Sequence, residues 1–281
     1  MTPTIDLVLA TRGRADEPER LLESLALQRF HDFRLIVADQ NDAGVLDPLL
    51  ARFRAQFPIV HLRVPGSGLS RSRNAAQEHV EAEVVGFPDD DCRYPPGLLQ
   101  AVDEHFSADP SLGGLACRTV DENGASTVLR WDRGPGPVTR RSIFRRTIST
   151  ATFLRRRVLE TVGPWDETLG VGAGTAWGSG EETDYYLRAL EAGFTIDYEP
   201  ALGIVHDSPA PAFGDREVMT KAYGYGRAHS EVLRRHGYPM SYRAWRAAQL
   251  LGGSSLLLVS GDPGRARFYW NMGRGRLRGL S

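Results

Sequence analysis

Three consecutive carboxylates, Asp89-Asp90-Asp91, follow the apolar run Val84-Val85-Gly86-Phe87. Adjacent acids repel one another, so such a run at a strand end calls for a compensating partner. Carboxylate oxygens suit Mg²⁺ or Mn²⁺, and sites for these ions combine one or two protein carboxylates with phosphate oxygens. A divalent cation carrying a diphosphate therefore fits the triplet. The same residues also read as a solvated acidic turn ahead of Tyr94-Pro95-Pro96-Gly97, and a short acidic motif alone does not separate the two. A second acidic cluster, Gly180-Glu181-Glu182-Thr183-Asp184, follows a loop with glycine at 170, 172, 174, 178 and 180. Ser179 and Glu182 fit a capping box, and acids in a first turn complement the helix dipole. A carboxylate there could equally take a proton from a hydroxyl. Capping and catalysis can coexist, one Glu serving each. Arg140, Arg141, Arg145 and Arg146, after the loop Gly134-Pro135-Gly136-Pro137, read either as a solvated basic loop or as a clamp for a diphosphate or anionic acceptor.

The elements that must position these groups follow from periodicity. Strands are expected at Ile5–Ala10, Phe33–Ala38, Ile59–Val64, Val84–Phe87 and Leu112–Val120. Helices are expected between them at Glu17–Leu27, Val45–Phe53, Leu69–Val80 and Pro96–Phe106. Such alternation predicts an α/β fold with a mostly parallel sheet wrapped by helices, and ligands in these sheets bind beyond the carboxyl ends of the strands. Asp39 and Asp89–Asp91 both fall at such ends. After Glu122 the pattern decays. A strand over Ile148–Leu154, helices over Arg155–Val162 and Glu181–Ala192, and short strands at Phe194–Tyr198 and Leu202–Val205 follow. The last stretch reads as three helices, Asp215–His236, Tyr242–Leu251 and Arg265–Leu277. The domain division expected is 1–120, 121–214 and a helical extension over 215–281.

The chain has 281 residues, 41% of them hydrophobic and 25% charged, as in an ordinary globular protein. Its net charge of −1 gives no sign of a nucleic-acid partner. Of 34 Lys plus Arg only Lys221 is lysine, leaving 33 arginines, a residue type suited to bidentate phosphate and carboxylate binding. The two cysteines, Cys92 and Cys117, fit a reducing compartment and read as buried small residues. Met1-Thr2-Pro3-Thr4 lacks the features of a signal peptide, and the apolar run Leu250–Val259 is interrupted by Gly252-Gly253-Ser254-Ser255. A cytoplasmic location is expected, with peripheral contact at the inner face of the membrane left open.

Five motifs in order resemble the family 2 glycosyltransferases: Asp39 after a strand; Gly68-Leu69-Ser70-Arg71-Ser72-Arg73-Asn74; Phe87-Pro88-Asp89-Asp90-Asp91; Gly163-Pro164-Trp165-Asp166-Glu167; and Gly180-Glu181-Glu182-Thr183-Asp184. The resemblance covers roughly residues 4 to 207. It implies a GT-A-type, Rossmann-like fold and an inverting, metal-dependent hexosyl- or deoxyhexosyltransferase of cell-surface polysaccharide assembly. The donor would be a nucleoside diphosphate sugar, UDP or dTDP first. The acceptor would be a saccharide or a lipid-linked saccharide. The resemblance places Asp39 on the base or ribose, and Arg71, Arg73 and Asn74 beside the nucleotide. Asp89, Asp90 and Asp91 match the acidic motif at the donor, with Asp91 the direct ligand of Mn²⁺ or Mg²⁺ and His206 a further metal or phosphate contact. Glu182 is expected as the base, with Glu181 beside it and Asp184 on the acceptor side.

Ala10-Thr11-Arg12-Gly13-Arg14 departs from the family's usual Pro-x-Tyr-Asn, and position 182 carries Glu where Asp is usual. Trp177 reads as a platform for an acceptor sugar ring or as an anchor for its loop. Trp245, Leu250, Leu251, Leu256 to Leu258, Phe268, Tyr269 and Trp270, mixed with Arg243, Arg246, Arg265 and Arg267 in the last helices, read as packing, as an oligomer contact or as an interfacial surface. Two other functions compete: a nucleotidyltransferase, which would need a Gly- and Lys-rich phosphate loop near the first strand, and a non-catalytic nucleotide-sugar-binding homologue.

Overall fold

The first strand, β1 (Ile5–Thr11), is buried along nearly its whole length, which fits a strand covered on both faces. The computed structural model describes residues 2–14, 16–206, 213 and 215–280. Strand β1 pairs in parallel with β2 (Phe33–Asp39), which pairs in parallel with β3 (Ile59–Arg63). On its other side β1 pairs in parallel with β4 (Val84–Gly86). The remaining strands are β5 (Cys92–Arg93), β6 (Gly114–Val120), β7 (Gly136–Pro137), β8 (Thr152–Arg155) and β9 (Ile196–His206). Among the described residues one sheet runs β3-β2-β1-β4-β8-β6-β9-β5, with β7 also on β9. Strands β5, β7 and β8 run against the other six, so the sheet is mixed and mostly parallel, as the alternation predicts.

Helices α1 (Glu17–Ala26), α2 (Asp47–Phe53), α3 (Leu69–Gln77), α4 (Leu98–Ala108) and α5 (Arg156–Val162) follow strands of this sheet. Leu21, Leu22 and Leu25 of α1, Leu50 and Phe53 of α2, and Val102 and Phe106 of α4 join Leu7, Leu9, Leu35 and Val37 in one apolar cluster. On the other face of β1 a buried charge is compensated. Asp6 on β1 accepts two bonds from Arg34 on β2, at 2.8 and 2.9 Å, and backbone N–H bonds from Glu81 and Ala82 ahead of β4. This network ties three parallel strands together at the end remote from Thr11 and Asp39.

The chain folds into two compact units. The first comprises residues 1–67, 71–165 and 185–208 and holds the sheet. The second comprises 68–70, 166–184 and 209–281. It contains the first turn of α6 (Glu181–Glu191) and the helices α7 (Arg216–Arg235), α8 (Met240–Val259) and α9 (Pro263–Arg278). Helices α7 and α9 approach closely at Gly226 and Gly275: a Cβ on Gly226 would lie 2.0 Å from the Met272 carbonyl oxygen.

Several expected elements differ. The two strands expected over 194–205 are the single strand β9, paired with β6 at 196–198 and again at 203–205 with a register shift between. The loop around Gly136 contributes a two-residue strand to the sheet edge. Residues 149–151 form a 3₁₀ turn before β8. Helix α8 continues through Gly252-Gly253-Ser254-Ser255, where packing on α9 outweighs poor local propensity: Ser254 donates to the Ala266 carbonyl at 2.7 Å. The N-cap of α6 is Gly180, whose carbonyl accepts from Asp184 N at 2.9 Å, and not Ser179 as the capping-box pattern suggested.

Candidate active site

Within the first unit, two connections bring the acidic triplet to its neighbours. Between β4 and β5 the chain turns through residues 87–91, with Asp89 N donating to Thr150 Oγ1 at 3.2 Å and Cys92 N to the Asp89 carbonyl at 3.3 Å. Strand β5 then pairs antiparallel with the end of β9, Cys92 opposite His206. That register, with no trace in local sequence, sets His206 beside the carboxylates. Its Nε2 lies 3.4 Å from Asp91 Oδ1 and 3.9 Å from Asp89 Oδ2. One ligand atom from each of Asp89, Asp91 and His206 falls within 4.8 Å of the others. His206 Nδ1 is buried without a hydrogen-bond partner among the described residues. Two partly exposed carboxylates and an imidazole form a donor set that fits Mn²⁺ or Mg²⁺.

Asp90 faces inward. Its Oδ2 accepts from Thr11 Oγ1 at 2.8 Å and its Oδ1 pairs with Arg14 Nη1. Burial pushes its carboxyl above the usual range, against the opposing pull of Thr11 and Arg14. Arg14 Nη1 also donates to Asp91 Oδ2 at 3.0 Å. Asn41 Oδ1 accepts from Gly13 N at 2.5 Å and fixes the chain that carries Arg14. The stretch that departs from the family pattern is thus wired directly to the triplet.

Asp39 ends β2 opposite Thr11 and is buried. Its Oδ1 accepts from Asn41 N and Nδ2 at 2.8 and 2.9 Å, and its Oδ2 lies 2.8 Å from His61 Nε2. Asp39 therefore orients Asn41 and His61. Nothing in the sequence marks His61 as a member of this network, and Thr11 and Arg14 stand out there only as part of a departure from the family pattern.

Arg73 on α3 is buried and its Nη2 donates to Ser149 Oγ at 2.8 Å, with Asp89 Oδ1 at 3.8 Å. Its guanidinium lies 4.7 Å from the ring centroid of Trp165 and 5.8 Å from that of Phe87. Trp165 stacks on Tyr185 at 4.1 Å. Asn74 holds Trp165 by its backbone donor and acceptor: Nδ2 donates to the Trp165 carbonyl at 3.0 Å, and Oδ1 accepts from Trp165 N at 2.8 Å. The Asn74 amide, expected at the nucleotide, is engaged in holding this aromatic support. Arg71 is exposed.

The second unit carries the other acids. Glu181 is buried, and Gly170, at φ +100°, lies so close that a Cβ there would sit 3.0 Å from Glu181 Oε2. Glu182 is half-buried. Asp184, expected on the acceptor side, is buried and its Oδ1 lies 2.9 Å from His236 Nε2, which ties α6 to the end of α7. Trp177 has Arg235 over its ring at 5.0 Å and lines a cavity of about 250 Å³ with Arg227, Glu231, Arg234 and Arg278.

Three of the four arginines at 140–146, which read either as a solvated basic loop or as a clamp, pair with protein carboxylates: Arg145 and Arg146 bind Asp132 at 2.9 and 2.8 Å, and Arg140 binds Glu191 at 2.6 Å. Cys92 and Cys117 are free and buried, and burial pushes both thiols up.

Residues 6–163 match the model of the glycosyl transferase family 2, more than half of the chain, and the chain belongs to that family. It is 27% identical over 245 residues to the pre-mycofactocin glycosyltransferase of Mycobacterium tuberculosis, covering 83% of this chain and 48% of that protein. The chain thus spans about half the length of the curated relatives it matches. Among solved structures it is similar to the mannosyltransferase PcManGT of Pyrobaculum calidifontis in complex with GDP-Man and Mn²⁺. The TM-score is 0.64 at 15% identity, over 99% of this chain and 88% of that one. It is also similar to S. aureus TarS 1-349 in complex with UDP-GlcNAc, with a TM-score of 0.59 at 16% identity over 99% and 91% of the two chains. The fold is the GT-A fold of these enzymes.

Proposed function

We propose that this chain is an inverting, metal-dependent glycosyltransferase. It moves a hexosyl or deoxyhexosyl group from a nucleoside diphosphate sugar to a hydroxyl of a glycan or glycolipid acceptor. Cell-surface polysaccharide assembly is the setting this chemistry suits. The observation that carries the reading is the convergence of Asp89, Asp91 and His206 in a family 2 chain. The relatives add weight: one is named a glycosyltransferase, one structure holds GDP-Man with Mn²⁺ and another UDP-GlcNAc.

Asp89, Asp91 and His206 would hold Mn²⁺ or Mg²⁺, which, when bound, neutralises charge on the diphosphate leaving group. Arg73, clamped by Trp165 and Phe87, adds a fixed positive charge beside Asp89. Asp39 sets Asn41 and His61 for the nucleoside, with UDP or dTDP the favoured nucleotide. Glu182, less buried than Glu181, accepts the proton of the acceptor hydroxyl as its oxygen bonds to the anomeric carbon and the bond to the diphosphate breaks. One displacement of this kind inverts the anomeric centre. Trp177 offers its ring to the acceptor.

The test is thermal stability with UDP, dTDP, GDP and CDP, each with and without Mn²⁺. A nucleotide at about 100 times its Kd adds roughly 2.7 kcal/mol. One Mn²⁺-dependent hit that Asp91→Asn abolishes is expected. A hit that persists in Asp91→Asn refutes the metal site. Glu182→Gln should bind the same nucleotide normally and lose about 10²-fold or more in turnover; an unchanged rate removes Glu182 as the base.

A further inference from the structure

Helix α8 keeps its charges off its exposed face and turns apolar side chains outward. Along α8 the exposed positions Trp245, Ala248, Gly252, Leu256 and Val259 recur at intervals of three and four, which sets them on one face. No exposed position of α8 carries a charge. Near the end of the helix Leu256, Leu258 and Val259 are 74%, 62% and 88% exposed. Of the two arginines of α8, Arg243 is buried and Arg246 half-buried. Arg243 donates from Nη2 to the Gly279 carbonyl at 2.5 Å, and the Arg246 carbonyl accepts from the buried Arg276 at 2.9 Å. Burial, reinforced by Arg246, pushes the Arg276 guanidinium down to about 9. A helix made to face water has the reverse arrangement.

The outer stripe of α9 is Arg267, Trp270, Arg274 and Leu277, again at intervals of three and four. Guanidinium groups alternate there with apolar bodies, and long arginine stems can lie along apolar surface while their heads reach away. Residues 240–278 hold seven arginines and one acid, Asp262, a net charge of +6 against −1 for the whole chain. The rest of the chain therefore carries −7. None of the described helices is long and apolar enough to cross a membrane.

Three occupants could cover these faces, and the charges separate them. A second copy in an isologous contact over both faces would bring the exposed Arg267 and Arg274 of each chain towards those of the other, with no acid on either stripe. A nucleic acid would match the arginines and leave Leu256, Leu258 and Val259 in water. An anionic lipid surface complements both the apolar face and the arginines. We propose that the α8–α9 hairpin docks this chain on an anionic lipid surface, the α8 face seated at the acyl boundary and the exposed arginines of α9 on lipid phosphates. The proposal goes beyond the transfer reaction and does not depend on it.

The experiment is co-sedimentation of the full chain with vesicles of phosphatidylcholine alone and of phosphatidylcholine with about one third phosphatidylglycerol. Binding to the anionic vesicles should be at least about tenfold tighter and should weaken with salt. The double variant Leu256→Glu, Val259→Glu, altered only at exposed positions, should keep the wild-type melting temperature and lose about tenfold or more in vesicle binding. Arg267→Gln with Arg274→Gln should narrow the gap between the two lipid mixtures. Absence of binding to anionic vesicles overturns the proposal, as does undiminished binding by the double Glu variant. A wild-type dimer that Leu256→Glu splits, without lipid binding, would assign the face to a second copy. Binding of duplex DNA or RNA in place of vesicles would assign it to nucleic acid.

Discussion

Asp91 divides its two oxygens between different duties. Oδ2 accepts from Arg14 and Oδ1 faces His206, so Arg14 compensates the inner half of the triplet while the outer half stays available to a cation. Arg14→Gln should therefore do two things. Asp90, whose carboxyl burial already pushes up, loses its cationic partner, and the fold should lose about 1–3 kcal/mol. Mn²⁺ should return part of that loss by supplying positive charge to Asp91. Urea denaturation of the variant with and without Mn²⁺ reads both effects, and a variant as stable as wild type would mean that Thr11 alone satisfies Asp90. The triplet was legible in the sequence because its repulsion is visible between adjacent residues. Its partners were not. Thr11 reaches Asp90 across 79 positions, Arg14 across 76, and His61 reaches Asp39 across 22. A threonine or a histidine in a strand, or an arginine in the loop after one, carries no local sign of such a bond.

At the scale of elements, the alternation of apolar runs predicted β1 to β4 and α1 to α4 within a few residues, because the pattern along each is its own, even in β3, which is only half-buried. The elements that were misjudged depend on neighbours. Strand β9 runs through Glu199-Pro200-Ala201 at a register shift between two stretches paired with β6, 196–198 and 203–205, and α8 passes four weak helix formers with α9 packed along it. The α7–α9 contact depends still more on what is missing. A Cβ at Gly275 would lie 2.2 Å from the Tyr223 carbonyl oxygen, and one at Gly226 would meet the backbone of α9. Backbone atoms yield less readily than a flexible side chain, so the helices must separate to admit a methyl group. Gly226→Ala should cost about 1–3 kcal/mol or more and lower the melting temperature. The comparison substitution is Gly252→Ala, where a Cβ meets nothing within 4 Å. It should be neutral or slightly stabilising, since alanine is the better helix former. Equal melting temperatures for the two variants would refute the close packing of α7 and α9.

For the molecule as a whole, charge is distributed by region, and the arginine-rich helical part must compensate itself with few acids. Residues 216–278 contain twelve Lys plus Arg and three acids, Glu217, Glu231 and Asp262. Glu231 is the most engaged of the three. It accepts from Arg234 through both oxygens, at 2.9 and 2.8 Å, and from Arg235 at 2.8 Å, while Arg235 also pairs with Asp166. Hydrogen bonds from Arg234, opposed by burial and aided by Arg235, hold the Glu231 carboxyl down to about 2. The folded chain therefore binds fewer protons at this site than the unfolded chain between pH 2 and the ordinary value of 4.5. The stabilisation is complete above that ordinary value and is lost as the pH falls towards 2. Arg234 is largely exposed, and screening reduces the gain to about 2 kcal/mol at neutral pH. Denaturant midpoints of wild type and Glu231→Gln, compared from pH 7 downwards, should differ fully above pH 4.5 and converge near pH 2. Every other carboxylate titrates in both proteins and cancels in the difference. A gap that stayed constant through that window would mean that Glu231 contributes packing and neutral hydrogen bonds rather than its charge.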